Sequence, residues 1–264
     1  MPKFAANLTT MFTELPFGQR FAAARKAGFM AVECQYPYGH DISEVKRWLD
    51  ESDLQMILVN TPSGDSGENE SGLAALPGRE SDFRRSFEQS LAYATGLGAG
   101  MIHLLAGVVS NESERLSCEQ AFITNVRWAS ELARAHQVNL LLEPLNQRDV
   151  PGYLHSTTAQ TRRLIDMIDR ENVRLQFDFY HLQIMEGDLT NALSSQFDVL
   201  GHVQFSSLPG RYEPQYGELN MFYFFDLLDE IGYSGWVGCE YGAKTTTAHG
   251  LTWAAPFGLG ISSS

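Results

Sequence analysis

The chain has 264 residues, 44% of them apolar, with 32 acidic against 19 basic side chains and a formal net charge of −13. That length suits one α/β barrel with its own core, and the acidic excess repels phosphate backbones and anionic lipid surfaces, which argues against nucleic acid and membrane as partners. The scattered Cys34, Cys118 and Cys239 fit neither a disulfide framework nor a thiolate zinc site, and MPKFAANLTTMF lacks the basic-then-apolar order of a signal peptide, so a soluble protein of the reducing cytoplasm is expected.

Short apolar, β-branched or aromatic runs alternate with longer stretches of helical period, the pattern of a parallel sheet covered by helices. In chain order, strands are expected near 4–7, 31–34, 55–60, 101–105, 140–143, 174–178, 201–204 and 236–240. A helix near 17–27 places Phe21, Ala24 and Ala27 on one face, and 116–136 is the longest helical stretch. Residues 61–80, TPSGDSGENESGLAALPGRE, are Gly- and Ser-rich, acidic and too long for an ordinary turn, which predicts a mouth loop or lid; a linker is the plainer reading, but helical periodicity resumes at once. No window approaches 18 uninterrupted apolar residues. The expectation is a single (β/α)8 TIM barrel spanning residues 1–264.

Four of these runs stop on a side chain able to hold a metal: LLLEP at Glu143, LQFDF at Asp178, HVQF at Gln204 and VGCEY at Glu240. They recur at intervals close to the roughly 30 residues that a strand, a crossover helix and a return strand need. On consecutive strands of a closed barrel they would converge on the C-terminal mouth, where sites of this architecture form. Any one alone could be a solvated loop residue or a helix cap. Together, two Glu, one Asp and one Gln offer only oxygen, which suits a hard divalent cation, Mg²⁺ or Mn²⁺, over zinc or copper. A divalent ion on both oxygens of an α-hydroxycarbonyl would acidify the C–H between them, and two carboxylates, Glu143 and Glu240, could remove and return the proton. That is aldose–ketose isomerisation. It needs no redox cofactor, and no strand-linked Gly-x-Gly-x-x-Gly or phosphate-binding Gly-x-x-x-x-Gly-Lys-Ser/Thr is present, so no nucleotide or redox cofactor is expected.

The segments NLTTMFTELPF, GFMAVECQYPY, GLAALPGRE, FDFYH, PGRYEPQYGELN and GYSGWVGCEY resemble the hydroxypyruvate isomerase family, especially its bacterial 2-oxo-tetronate isomerase branch within the xylose-isomerase-like barrels. The resemblance runs from Asn7 to about Trp253. It implies isomerisation of a small hydroxy-oxo acid, such as hydroxypyruvate to tartronate semialdehyde or 2-oxo-tetronate to 3-oxo-tetronate. It further implies Glu143 and Glu240 as the proton donor and acceptor, with Glu143, Asp178, Gln204 and Glu240 around the metal. The chain departs from the family pattern after Gln204, where Phe205, Ser206 and Ser207 replace Ile-Ala and Tyr212 replaces His. It departs again after Tyr241, where Gly242-Ala243 replaces Lys-Pro, so a mouth cation is lost beside the acid end of the substrate.

Further candidates carry two readings each. Arg211 could fork onto a substrate carboxylate or pair with Glu213 or Glu218. His181 could donate at the mouth or be a satisfied structural histidine. Asn7 could bond substrate or close a loop, and Arg79 could reach an anion on lid closure or sit in an exposed salt bridge. His103 and His202, Cys239 and the aromatic run 222–225 read as packing, the last also as a subunit contact that permits a homo-oligomer. Competing functions are ketose 3-epimerisation on the same site, metal-dependent endonuclease action, which a His-poor site and an acidic chain disfavour, and a non-catalytic barrel.

Overall fold

The computed structural model of the chain describes residues 1–64 and 70–260. Eight strands, β1 (Lys3–Asn7), β2 (Ala31–Cys34), β3 (Gln55–Asn60), β4 (Met101–His103), β5 (Asn139–Leu142), β6 (Val173–Asp178), β7 (Leu200–Phe205) and β8 (Trp236–Cys239), pair in parallel with their sequence neighbours. β8 then pairs with β1, Gly238 beside Ala5, and the sheet closes in chain order as a TIM barrel. The helices are α1 (Phe17–Lys26), α2 (Ile42–Ser52), α3 (Glu80–Leu97), α4 (Arg115–Ala135), α5 (Thr158–Ile168), α6 (Phe179–Met185), α7 (Leu189–Ser195), α8 (Met221–Glu230) and the short α9 (Thr247–Gly250).

Each sheath helix is seated by an apolar stripe: Phe21 and Ala24 from α1, Phe83 and Phe87 from α3, Phe122 and Val126 from α4, all buried against the outer face of the barrel. Where β8 meets β1, Phe4 packs edge-on to Phe225, Trp253 and Phe257, centroids 5.0–5.2 Å apart, so the C-terminal turns cover the seam. Truncating such a buried ring to Ala costs about 3–5 kcal/mol. Within the aromatic run of α8, Phe225 serves this packing and Phe224 packs on Phe179, while Phe222 and Tyr223 stay exposed.

Three strands end sooner than the apolar runs suggest: β4 at His103, β5 at Leu142 and β8 at Cys239. The backbone stays paired beyond β4 and β8, Leu104 N–H to Leu141 O at 2.9 Å and Glu240 N–H to Phe205 O at 3.1 Å. The link from β6 to β7 holds two short helices. The first starts directly on Asp178, whose Oδ1 accepts from the Tyr180 N–H at 2.8 Å. Of the expected lid, residues 65–69 lie outside the described residues. Beyond them Gly72 pairs with Ala106, and its N–H donates to Ser63 O at 2.7 Å. At φ +123°, a Cβ on Gly72 would stand 2.5 Å from the Leu105 backbone, so only glycine fits. No helix among the described residues is long and apolar enough to cross a membrane.

Strand alternation sorts the interior of the barrel into storeys. At the strand-entry end Ala5, Ala31, Leu58 and Leu141 form a small apolar cluster separate from the main core. Two residues further along β1 and β2 stand Asn7 and Glu33, and on β6 and β7 Gln176 and His202 lie two residues before Asp178 and Gln204; all six are buried. The lumen thus changes from apolar to polar as it approaches the mouth.

Candidate active site

Glu143, Asp178 and Glu240 reach the mouth from the ends of β5, β6 and β8, and all three are nearly inaccessible. Burying several carboxylates together opposes their ionisation, through lost hydration and mutual repulsion. Burial first, then the charges of Glu240 and Asp178, hold the Glu143 carboxyl well above the usual range. Burial likewise raises Asp178 and pushes Glu240 up to about 8, both eased by the Arg211 guanidinium. Glu143 Oε1 and Asp178 Oδ2 are buried and have no hydrogen-bond donor among the described residues.

Arg211 meets these acids directly. Its Nη2 lies 3.1 Å from Glu240 Oε1 and 3.9 Å from Asp178 Oδ2, and its guanidinium stacks on the Tyr180 ring at 4.5 Å. The expected alternatives, Glu213 and Glu218, are not its partners. Arg211 has a left-handed backbone, φ 52°, unusual for a residue with a Cβ, and three backbone bonds fix it there. Its N–H donates to Ser207 O at 2.8 Å, the Ser207 N–H donates to Tyr212 O at 2.9 Å, and the Gly242 N–H donates to Arg211 O at 2.9 Å. The segments after Gln204 and after Tyr241 therefore brace each other and aim this side chain.

His181 stands next to Asp178, Nε2 3.8 Å from Oδ2, and the ring is neutral, burial lowering its pKa to about 3. Its Nδ1 faces the Asn146 backbone N–H at 3.0 Å, which can only donate. The proton of the neutral ring is therefore on Nε2. Although Glu143, Asp178 and His181 have potential ligand atoms within 4.8 Å of one another, His181 brings an N–H to the mouth, not a lone pair.

Gln204 is paired in register with Asp178 on the neighbouring strand. Its amide donates to Glu33 Oε1 at 2.8 Å and accepts from the Gln176 amide, leaving the second lone pair of its carbonyl oxygen. Asn7 is fully buried and turned into the lumen: its Oδ1 accepts from the Thr9 N–H at 3.0 Å and its amide donates to Glu33 at 3.3 Å. Arg79 pairs with Glu70 and Asp82, not with a mouth carboxylate. His202 Nε2 lies 2.9 Å from Glu33 Oε2 within the lumen, and His103 lies 3.2 Å from Glu143 Oε2.

Several neighbours escaped the sequence reading. Gln35 donates to Glu240 Oε1 at 2.8 Å, so with Arg211 it loads that oxygen twice and leaves Oε2 for other work. Glu33 is a fully buried carboxylate in the apolar strand AVEC, and a lone acid in such a run was the available signal. Gln176, within hydrogen-bonding reach of Glu143, follows from the two-residue alternation that placed His202 inside. Nothing in the sequence pointed to Gln35, which lies beyond its strand.

The residues fit a divalent cation: two orphaned buried carboxylate oxygens, a third carboxylate beside them, an all-oxygen donor set and a neutral histidine that adds no competing charge.

Residues 21–257 match the family described as xylose isomerase-like TIM barrel. Over 257 residues the chain is 42% identical to the 2-oxo-tetronate isomerase of Cupriavidus necator, covering 97% of this chain and 99% of that one. It is 39% identical to the hydroxypyruvate isomerase of Escherichia coli over 97% and 100% of the two chains. A Brucella melitensis crystal structure titled AP endonuclease, family 2, superposes with a TM-score of 0.95 at 43% identity over 97% and 99%. D-psicose 3-epimerase of Clostridium cellulolyticum, at 19% identity and a TM-score of 0.75 over 90% and 84%, shares the fold. By sequence along nearly its whole length, the chain belongs to the xylose isomerase-like TIM barrel family, in its hydroxypyruvate isomerase branch, and is an isomerase of the aldose–ketose type.

Proposed function

We propose that the chain interconverts the carbonyl positions of a small hydroxy-oxo acid, hydroxypyruvate with tartronate semialdehyde or 2-oxo-tetronate with 3-oxo-tetronate, assisted by Mg²⁺ or Mn²⁺. The observation that carries this reading is the convergence of three buried carboxylates from three strand ends, two of them with an orphaned oxygen. Glu143, Asp178, Gln204 through its carbonyl, and Glu240 would hold the cation. When bound, that ion supplies Lewis acidity to adjacent carbonyl and hydroxyl oxygens.

The protein's own groups then have defined tasks. One of Glu143 and Glu240 takes the proton from the carbon bearing the hydroxyl, and the other returns a proton to the former carbonyl carbon. The hydroxyl proton passes between the two substrate oxygens, so the product has the same atoms and electrons with its carbonyl moved by one carbon. Because Gln35 and Arg211 both donate to Oε1 of Glu240, Oε2 is the oxygen free to move a proton. Arg211 offers its remaining N–H groups to the substrate carboxylate, and the His181 Nε2–H donates to a substrate oxygen. We assign residues 61–80 to a lid over one domain of 1–264. We also expect a cytoplasmic enzyme without nucleotide or redox cofactor, nucleic acid or membrane partner, with Phe222 and Tyr223 available to a homo-oligomer.

The test is a panel of hydroxypyruvate, four-carbon 2-oxo acids and simple ketoses, each with and without chelator. Isomerised acid product that disappears with chelator and returns with Mn²⁺ supports the assignment. Turnover of ketoses alone to their C3 epimers would shift it to an epimerase on the same site, and cleavage of lesion-containing DNA without isomerisation would shift it to a nuclease. Failure to turn over any of them would leave a binding barrel.

A further inference from the structure

The polar storey below the mouth has a direction. Asn7 Oδ1 accepts from the backbone N–H of Thr9 at 3.0 Å, and a backbone N–H cannot accept. The Asn7 amide is thereby fixed with its NH₂ toward Glu33, where it donates to Oε1 at 3.3 Å. The same Glu33 oxygen receives the NH₂ of Gln204 at 2.8 Å, while Glu33 Oε2 faces His202 Nε2 at 2.9 Å. With Oε1 set as an acceptor, reversing the Gln204 amide would press two oxygens together in a site with no water-accessible surface. The Gln204 carbonyl is thus turned to β6, the strand that carries Gln176 and Asp178. The barrel also reserves the room: a Cβ on Gly238 would stand 2.3 Å from Glu33 Oε1 and 2.8 Å from Gln204 Cγ.

We propose that Glu33 is a positioning residue that dictates which end of the Gln204 amide faces the cation. This rests on the reading of Gln204 as a ligand. An amide is nearly symmetric in shape but not in function, since its oxygen can ligate a cation and its NH₂ cannot. A glutamine ligand therefore needs a neighbour that tells its ends apart. An acceptor-only carboxylate anchored through Asn7 to the backbone does so, and Glu33 acts through Gln204 without touching cation or substrate.

The experiment is calorimetric titration of the full-length chain with Mn²⁺ at fixed pH, with circular dichroism and Tm as fold readouts, for wild type, Glu33→Gln and Glu33→Gln/Gln204→Glu. In Glu33→Gln the new amide has a donor end of its own, His202 beside it can meet either end, and only the long 3.3 Å Asn7 contact still favours its carbonyl toward Gln204. The expected result is a native spectrum with Mn²⁺ Kd weakened by about 10- to 100-fold, the range typical of groups that orient metal ligands. The double variant should recover most of the affinity, because a carboxylate at 204 has no wrong end. Wild-type affinity in a folded Glu33→Gln chain would overturn the proposal, as would weakening that Gln204→Glu does not relieve. If Glu33→Gln alone does not fold, a folded, Mn²⁺-binding double variant supports the proposal, and an unfolded one overturns it in favour of a structural role. Absence of Mn²⁺ binding by wild type would remove the cation reading itself, an outcome distinct from equal affinities.

Discussion

Around the strand-entry end and the sheath, acids and arginines pair in water: Arg162 lies 2.9 Å from Asp166 and 2.8 Å from Asp198, and Arg170 lies 2.8 Å from Glu131, with every partner 33% exposed or more. At the mouth, Glu143, Asp178 and Glu240 are buried and have one guanidinium among them, that of Arg211. The first arrangement balances itself and is screened by solvent, so each pair contributes little. The second is unbalanced, and the imbalance appears as carboxyl groups held above their ordinary range. Protons can relieve it, and so can a divalent cation. The same type of side chain is thus inert ornament at one end and stored chemistry at the other.

The largest expected effect comes from removing the proton carriers. Glu143→Gln or Glu240→Gln should leave the fold intact and lower turnover by about 10²- to 10⁴-fold, with parallel loss of solvent-deuterium incorporation at the substrate carbon. Near-native turnover in both variants would break the contrast. Next is the guanidinium that meets the mouth acids. Arg211→Met should raise KM for an acid substrate by about 10- to 100-fold, the equivalent of lost charge-assisted hydrogen bonds, with a smaller change in kcat; steady-state kinetics on acid and neutral substrates reads this directly.

A subtler test uses stability in chelator. Glu240 is raised from 4.5 to about 8 in the folded chain, so between those values the folded state binds more protons than the unfolded one. Its contribution to stability is therefore intact at acid pH and is lost as pH rises toward about 8. The Tm of Glu240→Gln should accordingly overtake that of wild type, by a margin that widens from pH 5 to 8 and then levels off. Saturating Mn²⁺ should reverse the order. Smallest is the control at the other end: Arg170→Ala should move Tm by no more than about 2 °C and leave kinetics unchanged. A large loss there would mean that the exposed pairs are not inert.

Much of this was legible from residue order. Alternation of apolar runs and helical stretches foretold eight strands, because period and length are written locally, and the shared end position of Glu143, Asp178 and Glu240 foretold their meeting. Strand limits at His103, Leu142 and Cys239 fall one or two residues short of the expected ends, since where a ladder ends is set by pairing with the neighbouring strand, which residue order does not show. Asp178 showed only half its role: its Oδ1 caps a helix while Oδ2 faces the mouth, and composition cannot divide one carboxylate between two tasks. The partners of Arg211 were missed because Glu213 and Glu218 are near in sequence, whereas Asp178 and Glu240 are near only after the barrel closes. Asn7 and Arg79 are the converse case, with Thr9 and Asp82 only two and three residues away and so within reach of the local readings, loop closure and a salt bridge.

The two storeys of the lumen have a consequence for descent. Ala5, Ala31, Leu58 and Leu141 meet their neighbours through shape alone, so one can drift to a residue of similar volume while the others stay as they are. Asn7, Glu33, Gln176, His202 and Gln204 instead satisfy one another's donors and acceptors, and a change at any of them strands a partner in a place water does not reach. Lineages of this barrel can wander freely at the floor, but above it they must step several positions at once or stand still.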